Sequence, residues 1–214
     1  MPVRISQSQV GNQFNRFATT FPNQSTFEAD FTALGYHRNT MTFGGNQIVF
    51  SPGGGGGSTT CVFIPTRLAG AISRNQFAQY TYVADTGTAA NPQRPILGVF
   101  CAGVNSTQND ILRAYFLLIA RDVPTAQIIR ENGFEPGVSA TLASFAIPAP
   151  GTVCRIEGVA TPGNTQVTVF YNGVQQAQVN DATALQIGLP GFGCRVNTAA
   201  ATSHTIAAFS AGRL

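Results

Sequence analysis

Glycine and proline punctuate this chain from end to end, with 23 Gly and 12 Pro in 214 residues. Both residue types end strands and set turns, so short apolar runs between them are the signature of a β sandwich or barrel. The candidate strands are Phe27–Leu34, Gln47–Ser51, Thr60–Pro65, Gln76–Val83, Ile96–Ala102, Ile111–Ile119, Ala126–Glu131, Thr152–Val159, Gln166–Tyr171, Val174–Val179, Gly191–Val196 and His204–Ser210. The clearest signal is the stretch QVTVFYNGVQQAQV, residues 166–179. There Val167, Val169 and Tyr171 alternate to one face, and Thr168 and Phe170 to the other. Asn172-Gly173 suits a two-residue type I′ turn, because both central positions need φ > 0. DILRAYFLLIARD also reads as a helix capped by Asp110, but the run is short and Pro124 follows, so a buried strand is the better reading. Ser139–Ser144 has room for a single helical turn. Helix is expected in fewer than about one residue in ten, against the usual third.

No repeat or composition shift divides the chain. Residues 1–11 are polar and are expected to form an N-terminal arm, and residues 12–214 a single domain. Gly53–Gly57 reads as a loop within it.

Charge is scarce. Charged residues make up 10% of the chain and apolar residues 43%, where an average soluble domain has about 25% charged. Normal apolar content at low charge argues against intrinsic disorder. All 12 basic residues are arginine and the net charge is +3, with no basic run. Nucleic-acid binding needs clustered cations, so it has no footprint here. No stretch nears the ~20 apolar residues of a membrane span. The opening MPVRISQSQVGNQFNR lacks the apolar core of a signal peptide, so synthesis in a cytoplasm without general secretory export is expected.

The four cysteines, Cys61, Cys101, Cys154 and Cys194, form no CxxC pair, and His37 and His204 are far apart. A structural zinc site is not expected. Four reduced thiols are, as a reducing compartment disfavours disulfides. Cys154 and Cys194 would be the pair to bridge if their strands proved adjacent, within about 7 Å.

Motifs for catalysis are weak. The five glycines are not followed by Gly-Lys-Ser/Thr, and the chain has no lysine, so a P-loop is excluded. Neither histidine sits in a GxSxG-like setting, which argues against a serine or cysteine hydrolase. Glu28 and Asp30 would share a strand face, as paired carboxylates do in glycosidases. The sandwich glucanases carry a third acid on that strand, which is missing here. Asp110, Asp122 and Asp181 offer oxygens of the kind calcium takes, but without EF-hand spacing, so turn and cap roles are expected. Asn23 and Asn105 fit the glycosylation pattern, which has no meaning without export. No catalytic, cofactor or metal residue is assigned.

The last third resembles a laminin-G-like, concanavalin A-like jelly roll. CRIEGV, residues 154–159, resembles that family's LRLEASG strand, and VTVFYNGV, residues 167–174, its LTVYVNGV hairpin. DATALQIGLPGFG, residues 181–193, resembles its D-x-x-L-x-x-G-x-x-G-L-G segment, and IAAFSAG, residues 206–212, its last strand, often IDNFSAG. Gln13-Phe14-Asn15-Arg16 resembles the opening D-x-F-N-R-A. The family's usual last-strand aspartate is Ala207 or Ala208 here, and tryptophan, a common sugar-stacking residue, is absent. The resemblance implies an all-β, two-sheet antiparallel jelly-roll sandwich, with strands near Phe14 and Phe209 side by side.

Such domains serve in lectins, glucanases, adhesion proteins and virion proteins of bacterial viruses, and fold does not choose among them. Low charge, a single domain and no catalytic set favour a bacteriophage virion component, a capsid decoration protein or a small fibre, spike or tail accessory. It would act by protein–protein binding as a homo-oligomer, with a trimer as the expected form. Arginine without lysine suits covered surfaces, and sheet edges lack the lysine that usually blunts them. An interface of at least ~800 Å² per chain with like or other virion subunits is expected, with Pro2–Gly11 taking part. The alternative is a carbohydrate-binding module contacting host surface glycans.

Overall fold

The computed structural model describes residues 16–35, 40–51, 59–68, 74–85, 93–102, 113–120, 124–132, 139–183, 185–196 and 203–214. In chain order these hold β1 (Arg16–Thr19), α1 (Gln24–Asp30), β2 (Phe31–Gly35), β3 (Thr40–Gly44), β4 (Gln47–Ser51) and β5 (Thr59–Pro65). After a 3-10 turn at Thr66–Leu68 come β6 (Asn75–Asp85), β7 (Gln93–Ala102), β8 (Arg113–Ala120), β9 (Thr125–Asn132) and β10 (Ala140–Phe145). The C-terminal strands are β11 (Val153–Thr161), β12 (Asn164–Tyr171), β13 (Val174–Asp181), β14 (Leu189–Val196) and β15 (His204–Arg213). They build an 8-stranded sheet, β13-β12-β11-β6-β15-β4-β3 with β1 also on β15, and a 7-stranded sheet, β10-β9-β8-β7-β14-β5-β2. Every strand pair is antiparallel. The fold is the all-β two-sheet jelly roll that the resemblance implies.

Turn chemistry explains the hairpins. Asn172 (φ 49) and Gly173 (φ 81) form the expected two-residue turn, with Tyr171 opposite Val174. The β3–β4 hairpin uses the same device with its residues reversed, Gly45 (φ 59) then Asn46 (φ 62). The first and last strands do pair, Thr19 facing Phe209 and Phe17 facing Ala211. Phe14 and the N-terminal arm lie outside the described residues.

Two expectations need correcting. The candidate strand Phe27–Leu34 begins as a helix. Asn23 caps it, its Oδ1 accepting from the Thr26 amide at 2.9 Å. Apolar residues at 27, 29 and 31 suit a strand, but 27 and 31 alone also suit one helical face, and the cap decides. Phe27 and Phe31 stack at 4.9 Å as a result. The single helical turn entertained at Ser139–Ser144 is instead strand β10, an edge strand with a bulge between Thr141 and Ala143.

Between the sheets lies a core rich in phenylalanine. Phe192 of β14 meets Phe209 of β15 in the other sheet at 4.5 Å, with Phe31 at 5.2 Å, Phe21 at 5.4 Å and Phe63 at 5.9 Å around it. Strand β8 is buried on both faces. Tyr115, Leu117 and Ile119 enter this core, while Ala114, Phe116, Leu118 and Ala120 join a second cluster with Leu34, Val62, Ile96, Cys101 and Ile129. That second cluster covers the outer face of the 7-stranded sheet, and two-sided burial accounts for the unbroken apolar run in β8.

Apart from the turn asparagines, two described residues with a Cβ sit in the left-handed region, Phe100 at φ 56 and Ala208. Ala208 sits at φ 47 in a bulge of β15 and is exposed. The left-handed region costs a residue with a Cβ roughly 1–2 kcal/mol and glycine little. Ala208→Gly is therefore expected to raise stability by about 0.5–1 kcal/mol, read as a higher urea midpoint at unchanged m-value.

Candidate functional site

Of the residues weighed from sequence, Glu28 and Asp30 separate. On a helix, positions two apart are turned by about 200°. Glu28 accepts from Gln24 Nε2 at 2.7 Å, and Asp30 pairs with Arg67 at 3.4 Å. The shared carboxylate face expected of a strand does not form. Asn23 uses its side chain as the helix cap. His37, Gly53–Gly57, Asn105, Asp110 and Asp122 lie outside the described residues.

Asp181 ends β13 and has the turn role expected of it, accepting from the Thr183 amide two residues on, but it does more than that. Its carboxylate accepts from the Tyr115 hydroxyl at 2.6 Å, from Arg130 Nη1 at 2.8 and 2.9 Å, and from the Thr183 amide at 3.1 Å. Burial by itself would raise its pKa, but these donors and the Arg130 charge outweigh burial and hold it below the ordinary value. Burial and the bond to Asp181 push the Tyr115 hydroxyl up to about 12, so it stays a donor. The cluster ties β13 of one sheet to β8 and β9 of the other. With a guanidinium already against both oxygens, it offers no seat for a cation. Among the described residues no group of three His, Cys, Asp or Glu side chains converges as metal ligands would.

All four cysteines are buried, and none is in a disulfide. Cys154 lies on β11 and Cys194 on β14, in different sheets. The pair considered from sequence is therefore not on adjacent strands. Cys194 faces Cys61 across the β5–β14 ladder instead.

His204 is wholly buried and stacks on Phe50 at 4.7 Å. Burial lowers its pKa from 6.5 to about 3, against a smaller opposing bond to the Gly193 backbone. The unfolded chain thus takes up a proton at higher pH than the folded one. Stability is complete above pH ~6.5 and is lost as pH falls toward 3, at up to about 1.4 kcal/mol per pH unit. Chemical denaturation is expected to show the protein about 2 kcal/mol less stable at pH 5 than at pH 7. The same comparison in His204→Gln should show little of this slope.

Two polar constellations lie on sheet faces. On the outer face of the 7-stranded sheet, Glu131 of β9 is 6% exposed and accepts from the Ser139 hydroxyl at 2.8 Å on each oxygen. Arg195 of β14 reaches it at 3.4 Å, across the intervening β7 and β8. This carboxylate is enclosed among the second apolar cluster.

The other constellation is open. On the outer face of the 8-stranded sheet, Arg155 of β11 lays its guanidinium 4.0 Å over the Phe77 ring of β6. Its Nε donates to Glu157 Oε1 at 2.7 Å, and the two side chains keep 29% and 24% exposure. Register places Phe170 and Gln79 on either side of Arg155, and Thr168 beside Glu157. Gln178 lies opposite Thr168, and Gln166 donates to Asn180 at 3.3 Å. Strand alternation produces this face: Cys154, Ile156 and Val167, Val169 go to the core, so the residues between them must point out. The result is a patch of planar polar groups and aromatic rings held on paired strands. The carboxylate accepts, the guanidinium fork donates, and amides do both. Sequence reading missed it, because Arg155 and Phe77 are far apart in the chain and only the β6–β11 pairing joins them.

No family model and no curated protein matches this sequence. Solved structures do match in shape. The carbohydrate recognition domain of Emp46p, in its potassium-bound form, superposes with TM-score 0.59 at 12% identity over 90% of this chain and 95% of that one. The exoplasmic/lumenal domain of VIP36, bound to Ca2+ and Man3GlcNAc, gives TM-score 0.56 at 11% identity over 92% and 88%. The legume lectin-like domain from Entamoeba histolytica gives 0.53 at 11% identity over 92% and 97%. Topology and these likenesses together make the chain a legume-lectin-like jelly-roll sandwich.

Proposed function

We propose that this domain binds saccharides, through the outer face of the 8-stranded sheet around Arg155, Glu157 and Phe170. The observation that carries this reading is the Arg155–Glu157 pair held flat over Phe77 beside partly exposed Phe170. Sugar hydroxyls need donors and acceptors fixed in pairs, and a sugar ring's apolar face needs an aromatic surface. This patch supplies both on paired strands, where little ordering remains to be lost on binding. The solved domains of the same shape, a carbohydrate recognition domain and a Man3GlcNAc-bound domain, support it. Their potassium and Ca2+ have no counterpart in the proposal, since Asp181 is committed to Arg130 and Tyr115. Binding is proposed without hydrolysis.

A glycan array on the purified chain, followed by calorimetry on the best ligand, tests the reading. Arg155→Ala is expected to weaken binding roughly 10–100-fold, from loss of charge-assisted hydrogen bonds worth about 1.5–3 kcal/mol. Its far-UV spectrum should not change. Saccharide binding that survives Arg155→Ala and Glu157→Gln intact would move the site elsewhere. No binding across the array would defeat the function.

The virion reading rests on the 10% charged residues, the single domain and the lack of a catalytic set, and it stands as the second proposal. A phage particle component that grips host glycans would satisfy both. A sedimenting trimer would favour it, and a glycan-binding monomer would favour a stand-alone lectin.

A further inference from the structure

Cys61 of β5 and Cys194 of β14 stand directly opposite each other in an antiparallel ladder. Both belong to the core between the sheets, so their side chains share a face. Two of the alternate positions on β14, Gly191 and Gly193, are glycines, and the β5 backbone occupies the space that side chains there would need. A Cβ on Gly191 would lie 2.7 Å from the Phe63 carbonyl oxygen, and one on Gly193 would strike the Cys61 carbonyl. The strands therefore approach closely at this pair. Opposed residues in such a ladder have Cα atoms about 4.5–5.5 Å apart, inside the roughly 4.4–6.8 Å that a disulfide spans. Neither other cysteine is placed this way: Cys154 is in the opposite sheet, and Cys101 faces the second apolar cluster.

We propose that Cys61 and Cys194 are a cross-strand disulfide site, closed when the chain folds with a low-molecular-weight disulfide such as oxidised glutathione, and left as a dithiol where thiols are kept reduced. One cysteine thiolate attacks the glutathione disulfide, forming a mixed disulfide and expelling one glutathione. The second cysteine attacks that mixed disulfide and expels the other. The two cysteine S–H protons pass through water to the two expelled glutathione thiolates, the protein sulfurs lose two electrons, and the glutathione disulfide is reduced to two thiols. Burial pushes the Cys61 thiol well up, with the neighbouring Cys194 adding to it. A finished core would therefore oxidise slowly, and closure belongs to folding.

The test refolds the full reduced chain in a glutathione redox buffer, alkylates it and maps its peptides by mass spectrometry. The same map on chain recovered from an oxidising bacterial periplasm reads the bond without refolding. The expected result is one Cys61–Cys194 linkage, a mass lower by two hydrogens, and alkylated Cys101 and Cys154. The linked form should melt about 10 °C above the reduced form, since the bond closes a loop of more than a hundred residues. Cys61→Ala and Cys194→Ala should each abolish the linkage and keep the β-sheet spectrum. Four alkylated thiols in both preparations, a linkage through Cys101 or Cys154, or a Cys61–Cys194 bond that lowers the melting temperature would overturn the proposal.

Discussion

Phe192→Ala is expected to cost about 4 kcal/mol of stability. Phe192 is 0% exposed and sits where the two sheets meet. Its ring has Phe209 at 4.5 Å, Phe31 at 5.2 Å, Phe21 at 5.4 Å, Phe63 at 5.9 Å, and Phe27 and Phe50 each at 6.3 Å. Truncation removes the transfer energy of the ring and leaves a cavity, because backbone strands on both sides prevent collapse. Aromatic pairs add about 0.5–1.5 kcal/mol each beyond burial. A domain with about 5–15 kcal/mol in total would keep little reserve. Equilibrium urea unfolding checks it, with Phe170→Ala on the outer face as the control expected to cost under ~1 kcal/mol. A loss under ~1.5 kcal/mol for Phe192→Ala would show that the two sheets do not close on this ring as described.

Asp181→Ala is expected to cost about 3 kcal/mol. The carboxylate answers three donors, and its removal leaves Arg130, only 20% exposed at the side chain, without its counter-charge. The Tyr115 hydroxyl loses its 2.6 Å acceptor at the same time. Asp181→Asn keeps the shape and loses the charge, so it should cost less. The sign with pH follows from the lowered folded-state pKa. The contribution is complete above the unfolded value near pH ~3.9 and is lost as pH falls through the lower folded value. The stability gap between wild type and Asp181→Asn should thus be constant from pH 7 to 5 and narrow below pH 4. A gap that widens in acid would contradict the assigned ion pair.

The strand reading and the structure agree most closely where local chemistry and global packing point the same way. Residues 166–179 alternate, carry their own turn signal and pair only with neighbours in sequence, so their hairpin was legible. β8 was legible for another reason: its unbroken apolar run fits two-sided burial, and the structure buries both faces. The helix α1 was not, because Phe27, Ala29 and Phe31 satisfy two periods at once and the deciding bond is one side-chain cap. β3 escaped because its turn reads Gly-Asn, a weaker signal than Asn-Gly. β10, an edge strand, has too little burial to leave a pattern.

The alternation and turn residues by themselves determined an all-β chain of many short strands with its C-terminal hairpin. Only the tertiary structure decided which residues became neighbours. Arg155 meets Phe77 because β11 lies beside β6, Tyr115 meets Asp181 because the end of edge strand β13 packs against β8 and β9 of the other sheet, and Cys61 meets Cys194 because glycines let β14 come close to β5. The physical reason is the same in each case. A strand's faces are set by a period of two in its own sequence, whereas its partners are set by which pairing buries the most apolar surface, a property of the whole chain.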